Sequence, residues 1–207
     1  MKNNKNIPES TSSEHLNESN PEFHPINSDN MIPLDDLSWS SGGTLEESEN
    51  SVLWSKKNQQ IQKNSTVTVF DVAAYILKKM GCMSTMKLQK LVYYCQAWSL
   101  VWDEEPLFME DIEAWANGPV IRELFNYHRG HYNISEVKIG NPDTMTIVQK
   151  ATIDAVLEYY GNKSAQWLID LSHLEDPWKN ARSEMREMER GNKVIPPDSI
   201  AQYYSSL

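Results

Sequence analysis

The stretch Lys87-Leu88-Gln89-Lys90-Leu91-Val92-Tyr93-Tyr94-Cys95-Gln96-Ala97-Trp98 decides the fold of this chain. Its apolar residues recur at the three- and four-residue spacing that places them on one face of a helix. We predict a helix that starts after Ser84 and runs to about Trp102. Its inner stripe consists of Leu88, Leu91, Val92, Cys95, Ser99 and Trp102. Polar groups beside an apolar stripe should face outward, so the candidate contacts for a partner are Lys87, Gln89, Lys90 and Tyr94.

Similar spacing on both sides of this stretch predicts further helices. The first covers residues 69–80, with Thr68 as N-cap and Gly81 at its end. The run Asn117-Gly118-Pro119 predicts a turn followed by a helix that has Pro119 at its first position and ends near Gly130. Thr146 is predicted to cap a helix that runs to Tyr160, and Ser164 to cap another that runs to about His173. A charged helix is predicted from Asp176 to Glu189, and a final short helix follows Pro196-Pro197-Asp198 and ends at Tyr204.

Two short segments lack a helical pattern. The pattern of residues 107–116 is ambiguous and leaves open a short extended segment at Ile112-Glu113-Ala114-Trp115. A short strand is expected at Val137–Ile139 within the loop 131–145. The predicted class is therefore all-α. We expect a single compact domain of about six to seven helices, with room for one short extended segment or hairpin.

The first fifty residues differ in composition from the rest of the chain. They contain ten Asp or Glu against two Lys, a local charge of −8, together with many Asn and Ser. Such a segment buries too little apolar surface to offset its chain entropy, so residues 1–64 are predicted to be a disordered acidic tail before a domain at 65–207. Sparse apolar residues interrupt the acidic pattern, and two interpretations stay open: an inert tail, or a segment that binds a partner through Met31, Ile32, Leu34, Leu37 and Trp39.

The overall composition restricts the class of partner. A net charge of −10 argues against non-specific binding of nucleic acid and is compatible with a basic protein partner. Two cysteines do not make a disulfide framework, and Cys95 is expected to be a buried free thiol. No signal peptide or membrane span is visible, so the expected location is the cytoplasm.

No catalytic motif is evident in the sequence. His128 and His131 have a spacing that suits two metal ligands, but Gly130 lies between them at the expected helix end, and no third ligand is near. His173 with Glu175 and Asp176 resembles an acid–base pair, although Asp176 has a simpler interpretation as a helix N-cap. Phosphate-binding glycine loops and nucleophile motifs are missing. We therefore expect a protein that is not an enzyme and needs no metal or cofactor.

A DNA-binding helix-turn-helix is the alternative interpretation. Two predicted helices are joined by residues 81–84, and the second one carries Lys87 and Lys90. Against this, Tyr93, Tyr94 and Trp98 make the later turns of that helix too apolar for a DNA groove.

Three separated segments resemble the Panacea domain of SocA-like antitoxins. The first is the quoted stretch 87–98, and the second is Ile112-Glu113-Ala114-Trp115-Ala116-Asn117-Gly118-Pro119-Val120. The third is Leu171-Ser172-His173-Leu174-Glu175-Asp176-Pro177-Trp178, where Ser172 departs from the Thr that members usually carry. Their order and spacing extend the resemblance over roughly residues 68–205.

The resemblance implies a mainly helical fold and an antitoxin role in toxin–antitoxin pairs, often on phage or other mobile elements. It implies a cognate toxin as partner, and also a protease where a member acts as a proteolytic adaptor. Twelve residues of these segments are expected to maintain the fold rather than to contact the toxin: Leu88, Leu91, Tyr93, Trp98, Glu113, Trp115, Gly118, Pro119, Val120, His173, Pro177 and Trp178.

Overall fold

The computed structural model describes residues 66–186 and 189–207, so the tail predicted for residues 1–64 lies outside the described residues. The α-helices in this part are α1 (Val69–Met80), α2 (Thr85–Trp102), α3 (Arg122–His128), α4 (Ile147–Tyr160), α5 (Ala165–Leu174), α6 (Asp176–Ala181) and α7 (Pro197–Tyr204). The strands are β1 (Met83–Ser84), β2 (Ile112–Trp115), β3 (Gly118–Ile121) and β4 (Asn133–Ile134). Helices dominate as predicted, but two small antiparallel sheets, β1–β4 and β2–β3, mean that the domain is not purely α. No helix within these residues has the length and apolar content needed to cross a bilayer.

Helix α1 has the boundaries that its capping residues predict. The carboxylate of Asp71 accepts hydrogen bonds from the backbone N–H of Thr68 at 2.8 Å and from its hydroxyl at 2.9 Å. At the other end Gly81 has a φ of 76°, which ends the helix. The same carboxylate also accepts the N–H of Asn141 at 2.6 Å. The cap therefore stabilises the helix start and ties the loop before α4 to it.

Helix α2 is the centre of the domain. All its side chains from Leu88 to Ser99 are buried, and α4, α5, α7 and β3 pack around it. Cys95 is a buried thiol, as predicted. Trp102 departs from the predicted inner stripe, because it is 37% exposed and stacks on Trp98. A helix enclosed on every side has no solvent face, so the distinction between an inner stripe and an outer face does not apply to it.

The segment around Gly118 forms a hairpin rather than a helix start. Strands β2 and β3 pair in the register Ile112↔Ile121 to Trp115↔Gly118, which confirms the extended segment at 112–115. The prediction of a helix from Pro119 is wrong, since α3 begins only at Arg122. Gly118 has a φ of 93°, which turns the chain back along β2, and the chain at residues 193–195 pairs with the other edge of β2.

Two further boundaries differ from the prediction. The short strand lies at Asn133–Ile134, paired with β1, and not at Val137–Ile139. The helix predicted to reach Glu189 ends at Ala181. The guanidinium of Arg182 donates hydrogen bonds to the carbonyls of Ala114, Arg186 and Glu189. These bonds hold Arg186 and Glu189 close to the end of α6 in a non-helical arrangement.

Candidate functional site

Lys90 is a fully buried cation in the middle of α2. Its ammonium donates a hydrogen bond to the carbonyl of Pro119 at 2.8 Å. Gly118 makes room for it, because a Cβ at this position would lie 2.8 Å from Lys90 Cε and Nζ and 2.6 Å from Ser172 Oγ. The pair Gly118-Pro119 therefore provides both the space and the acceptor for a buried ammonium.

Glu175 is the buried acidic residue of the same region, at 3% exposure. Its carboxylate accepts hydrogen bonds from the hydroxyl of Tyr94 at 3.2 Å and from that of Tyr93 at 3.4 Å. Tyr204, from α7, packs edge-on against both tyrosine rings. A buried charge is tolerated only when polar groups surround it. The two tyrosine hydroxyls therefore allow an acidic side chain to be buried here.

Burial shifts the pKa values of Lys90 and Glu175 in opposite directions. It lowers the pKa of Lys90 to about 7, and the attraction of Glu175 works against that change. It raises the pKa of Glu175 to about 8, while the hydroxyls of Tyr204, Tyr94 and Tyr93 and the charge of Lys90 work against the rise. Burial also raises the pKa of the three tyrosines, which keeps them as neutral donors. The protonation state of the pair is therefore sensitive to pH near neutrality.

Two glutamines of α2 hold neighbouring segments by their side-chain amides. Gln89 accepts the N–H of Ile121 at 2.9 Å and donates to the carbonyl of the same residue at 3.3 Å. Gln96 accepts the N–H groups of Leu107 and Phe108 at 2.9 and 3.1 Å. Each amide replaces the backbone partner that a longer strand would have provided, so both glutamines fasten irregular chain to the central helix.

Trp178 connects α6 to the hairpin. Its indole N–H donates to the carbonyl of Trp115 at 2.9 Å, and its ring stacks on His173 at 4.1 Å between centroids. Arg182 lies over the same ring at 5.3 Å. The third segment of the resemblance therefore packs directly against the second.

Glu113 orients the polar side of the hairpin. Its carboxylate accepts two hydrogen bonds from Arg122, each of 2.6 Å, and one from the indole N–H of Trp115 at 2.7 Å. This bidentate pairing fixes the guanidinium plane and makes it a rigid group at the start of α3.

The residues expected to maintain the fold lie in or beside the core. Buried among them are Leu88, Leu91, Tyr93, Trp98, Glu113, Gly118, Pro119, Val120, Pro177 and Trp178, while Trp115 and His173 are half-buried. The three separated segments thus meet around Lys90 and Trp178.

The expectation that the four candidate contacts face outward is wrong for three of them. Gln89, Lys90 and Tyr94 are at most 2% exposed, because α2 is covered on every side. Lys87 is half-buried, and its ammonium donates to the carbonyl of Gly161 at 2.6 Å. A side chain without exposed surface offers no contact to a partner in this conformation, so the binding surface has to lie elsewhere.

A cavity of about 670 Å³ opens between the start of α2, the hairpin, α3 and residues 190–192. We call it the cationic cavity, because among residues 66–186 and 189–207 its charged lining side chains are Arg122, Arg129 and Arg190, with no Asp or Glu. Its apolar lining includes Met86, Trp115, Val120 and Phe125. It combines positive charge with aromatic surface in a chain whose net charge is −10.

The sequence analysis did not single out these three arginines. Arg122 and Arg129 lie at the two ends of α3, whereas Arg190 lies in a loop after α6, and only the fold brings it beside them. A usable signal was present, because all five arginines of the chain fall between residues 122 and 190. Of the four predicted contacts, Gln89 alone lines the cavity.

The predicted histidines have different surroundings. His128 is buried with its Nε2 3.0 Å from Nε2 of Gln89, and burial lowers its pKa. His131 is exposed, and both histidines line the cationic cavity. In residues 66–186 and 189–207 no group of three or more His, Cys, Asp or Glu is arranged to hold a metal ion.

Comparison with known families supports the resemblance over the central part of the chain. Residues 88–179 match the family model described as antitoxin SocA-like, Panacea domain. The matched segment contains Lys90, the hairpin, Glu175 and Trp178. Comparisons with curated proteins and with solved structures gave no match.

Proposed function

We propose, from the Panacea domain at residues 88–179, that this chain is an antitoxin that neutralises a cognate toxin by binding it directly. The family match is the observation that carries the proposal. We expect the two proteins to be encoded as a pair on a phage or another mobile element, and to act in the cytoplasm.

Neutralisation by binding requires a surface rather than a catalytic group. His128 and His173 are packed against Gln89 and Trp178, which supports a structural role for them. The cationic cavity supplies a concave surface on the side of the domain formed by the hairpin and α3. We propose that the protein is not an enzyme and that His173→Gln, a change outside the cationic cavity, leaves neutralisation intact in a variant that stays folded.

The burial of α2 favours a protein partner over DNA. As the second helix of a helix-turn-helix, α2 would have to lie in a groove, yet its side chains from Leu88 to Ser99 are enclosed by the domain. The net charge of −10 also repels a polyanion. Under this proposal, an electrophoretic assay with DNA from upstream of the gene gives no shift.

The test is co-expression with each gene that flanks this one. We expect one flanking gene to stop growth alone, growth to return when this chain is present, and the two proteins to co-purify. The function is contradicted if no flanking product is toxic, or if its toxicity persists at equal antitoxin expression.

The amount of toxin in the cell distinguishes direct binding from a role as a proteolytic adaptor. Direct neutralisation leaves the amount of tagged toxin unchanged when the antitoxin is present, because the complex is the inactive form. A toxin level that falls with the antitoxin, and recovers in a strain lacking the relevant protease, would replace direct binding with an adaptor role.

A further inference from the structure

The cationic cavity is the described surface best suited to a charged partner. Three of the five arginines of the chain line it, and no carboxylate of the described residues does. We propose that it receives an acidic segment of the toxin, whose carboxylates pair with the arginines while an apolar side chain packs between them. This inference rests on the antitoxin function proposed above.

The three arginines contribute differently. The charge of Arg122 is already paired with Glu113, and its guanidinium lies over the Trp115 ring at 5.6 Å. Arg129 lies over the Phe125 ring at 5.7 Å and is exposed. Arg190 is also exposed. Arg129 and Arg190 are therefore the positions at which added carboxylates meet positive charge that no ion pair among the described residues offsets.

The apolar side of the cavity is rigid. The rings of Trp115 and Phe125 meet edge-on at 4.8 Å between centroids, and the Trp115 indole is fixed by Glu113. Val120 is buried beside them in β3. Aromatic groups held in place next to arginines are typical of the anchoring points of protein interfaces. An acidic segment with a single apolar residue satisfies both parts of this surface.

An acidic protein segment fits better than a nucleic acid. Binding to a phosphate backbone needs a row of cations along an open surface, whereas here the cations surround one concavity. The strongly negative chain would repel a long polyanion but tolerates a few carboxylates that reach the cavity.

Peptide binding to the full chain tests the chemistry directly. The probes are a fluorescein-labelled peptide of repeated Glu-Leu-Glu triplets, its Lys-Leu-Lys counterpart, and labelled single-stranded oligo-dT of the same length. The test variant is Arg129→Glu/Arg190→Glu. The matched control is Lys78→Glu/Lys138→Glu, which reverses two exposed charges outside the cavity.

We expect the acidic peptide to bind the wild-type chain at least about tenfold more tightly than the basic one, and higher salt to weaken it. The Arg129→Glu/Arg190→Glu variant should lose about tenfold or more in affinity for the acidic peptide, with the control close to wild type. Melting temperatures verify folding, and Arg129→Gln/Arg190→Gln replaces the reversal if it unfolds.

Three results overturn the proposal. One is equal binding of the acidic peptide by the cavity variant and the control. Another is oligo-dT binding as tightly as the acidic peptide, which would make the cavity a general polyanion site. The third is an Asp35→Lys/Asp36→Lys chain that gains peptide binding absent from wild type, which would identify the chain's own tail as the occupant.

The growth assay distinguishes failure of this inference from failure of the function. If the wild-type chain rescues growth and the cavity variant does not, while the control does, both proposals stand. If the cavity variant rescues as well as wild type, the cavity proposal falls and the antitoxin function stands. If the wild-type chain itself does not rescue, the function falls, and peptide binding would then describe only the chemistry of the cavity.

Discussion

At the scale of single residues, Lys90 connects segments that are far apart in the sequence. Its ammonium reaches the Pro119 carbonyl through space left by Gly118, and Glu175 supplies the opposing charge. Buried charges of this kind add little net stability, but removing one partner is costly because the other is left uncompensated. A glycine is therefore needed at position 118, because any side chain there would collide with Lys90.

Substitution of Gly118 tests this dependence. In Gly118→Ala the new Cβ would push the Lys90 ammonium away from its acceptor, and the φ of 93° would be strained as well. We expect a loss of about 2–4 kcal/mol in the free energy of unfolding, measured by urea denaturation.

Gly130→Ala is the matched control for backbone strain alone. Gly130 has a φ of 86°, and a Cβ there meets nothing within 4 Å. Its substitution should cost only about 1–2 kcal/mol. Equal losses at the two glycines would mean that Lys90 does not depend on the space at Gly118.

The pH dependence of stability tests Glu175. Its pKa is about 8 in the folded chain against an ordinary value of 4.5, so the folded state holds the extra proton between these values. The stability contributed by Glu175 is complete below about pH 4.5 and is lost as the pH rises to about 8. Lys90 acts in a higher range that overlaps this window between about pH 7 and 8, because its lowered pKa makes the penalty of its burial decrease between about pH 7 and 10.5.

The prediction compares wild type with Glu175→Gln. The variant lacks this titration, so the stability of wild type relative to the variant should fall between about pH 5 and 8, by up to about 1.4 kcal/mol per pH unit. Chemical denaturation at several pH values measures the difference. A constant difference over this range would contradict a raised pKa for Glu175.

At the scale of elements, short segments are held by side chains rather than by their own length. Helix α6 spans only Asp176–Ala181, and α3 only Arg122–His128. Isolated helices of this length are not stable in water. Trp178 joins α6 to the hairpin through its hydrogen bond to Trp115. The side-chain amide of Gln89 accepts the N–H of Ile121 at the end of β3, where α3 begins.

Trp178→Ala should therefore remove the packing and the hydrogen bond that join α6 to the hairpin. The indole is 8% exposed, stacks on His173 and donates to Trp115, so we expect a loss of about 3–5 kcal/mol in the free energy of unfolding. Loss of toxin neutralisation should accompany the unfolding. A variant that kept its melting temperature but lost neutralisation would make Trp178 an interface residue instead.

At the scale of the whole molecule, charge is distributed unevenly. The chain carries −10, and the first fifty residues alone carry −8, yet three arginines gather around one cavity. A surface of opposite sign to the rest of the molecule orients an approaching partner and accelerates association. This contrast supports the assignment of the cavity, rather than α2, as the partner surface.

The domain boundary near residue 65 stays a prediction, since residues 1–65 lie outside the described part. Limited proteolysis of the isolated protein should leave a resistant fragment that begins near about residue 60–68, because an acidic segment poor in apolar residues does not protect its backbone. Mass spectrometry of the fragment identifies the cut. Protection of sites within the first fifty residues would contradict the predicted boundary.

The sequence by itself determined the elements whose signals are local. Thr68 with Asp71, Ser84, Thr146 with Gln149, and Ser164 each cap a helix within a few residues of the chain. The helix boundaries at these caps agree with prediction because the deciding hydrogen bonds join near neighbours. The three family segments could likewise be recognised from the sequence, since their order and spacing are properties of the sequence.

Only the tertiary structure decided which polar side chains are buried and where the chain leaves a helical pattern. Gln89 and Lys90 have the sequence character of surface residues, but the helices and the hairpin packed around α2 bury them. Pro119 suits a helix start, but pairing with β2 makes the segment a strand. The arginines of the cationic cavity converge only after the hairpin, α3 and the loop after α6 are packed. Burial, pairing and convergence are set by contacts between distant parts of the chain, and these have no local signature.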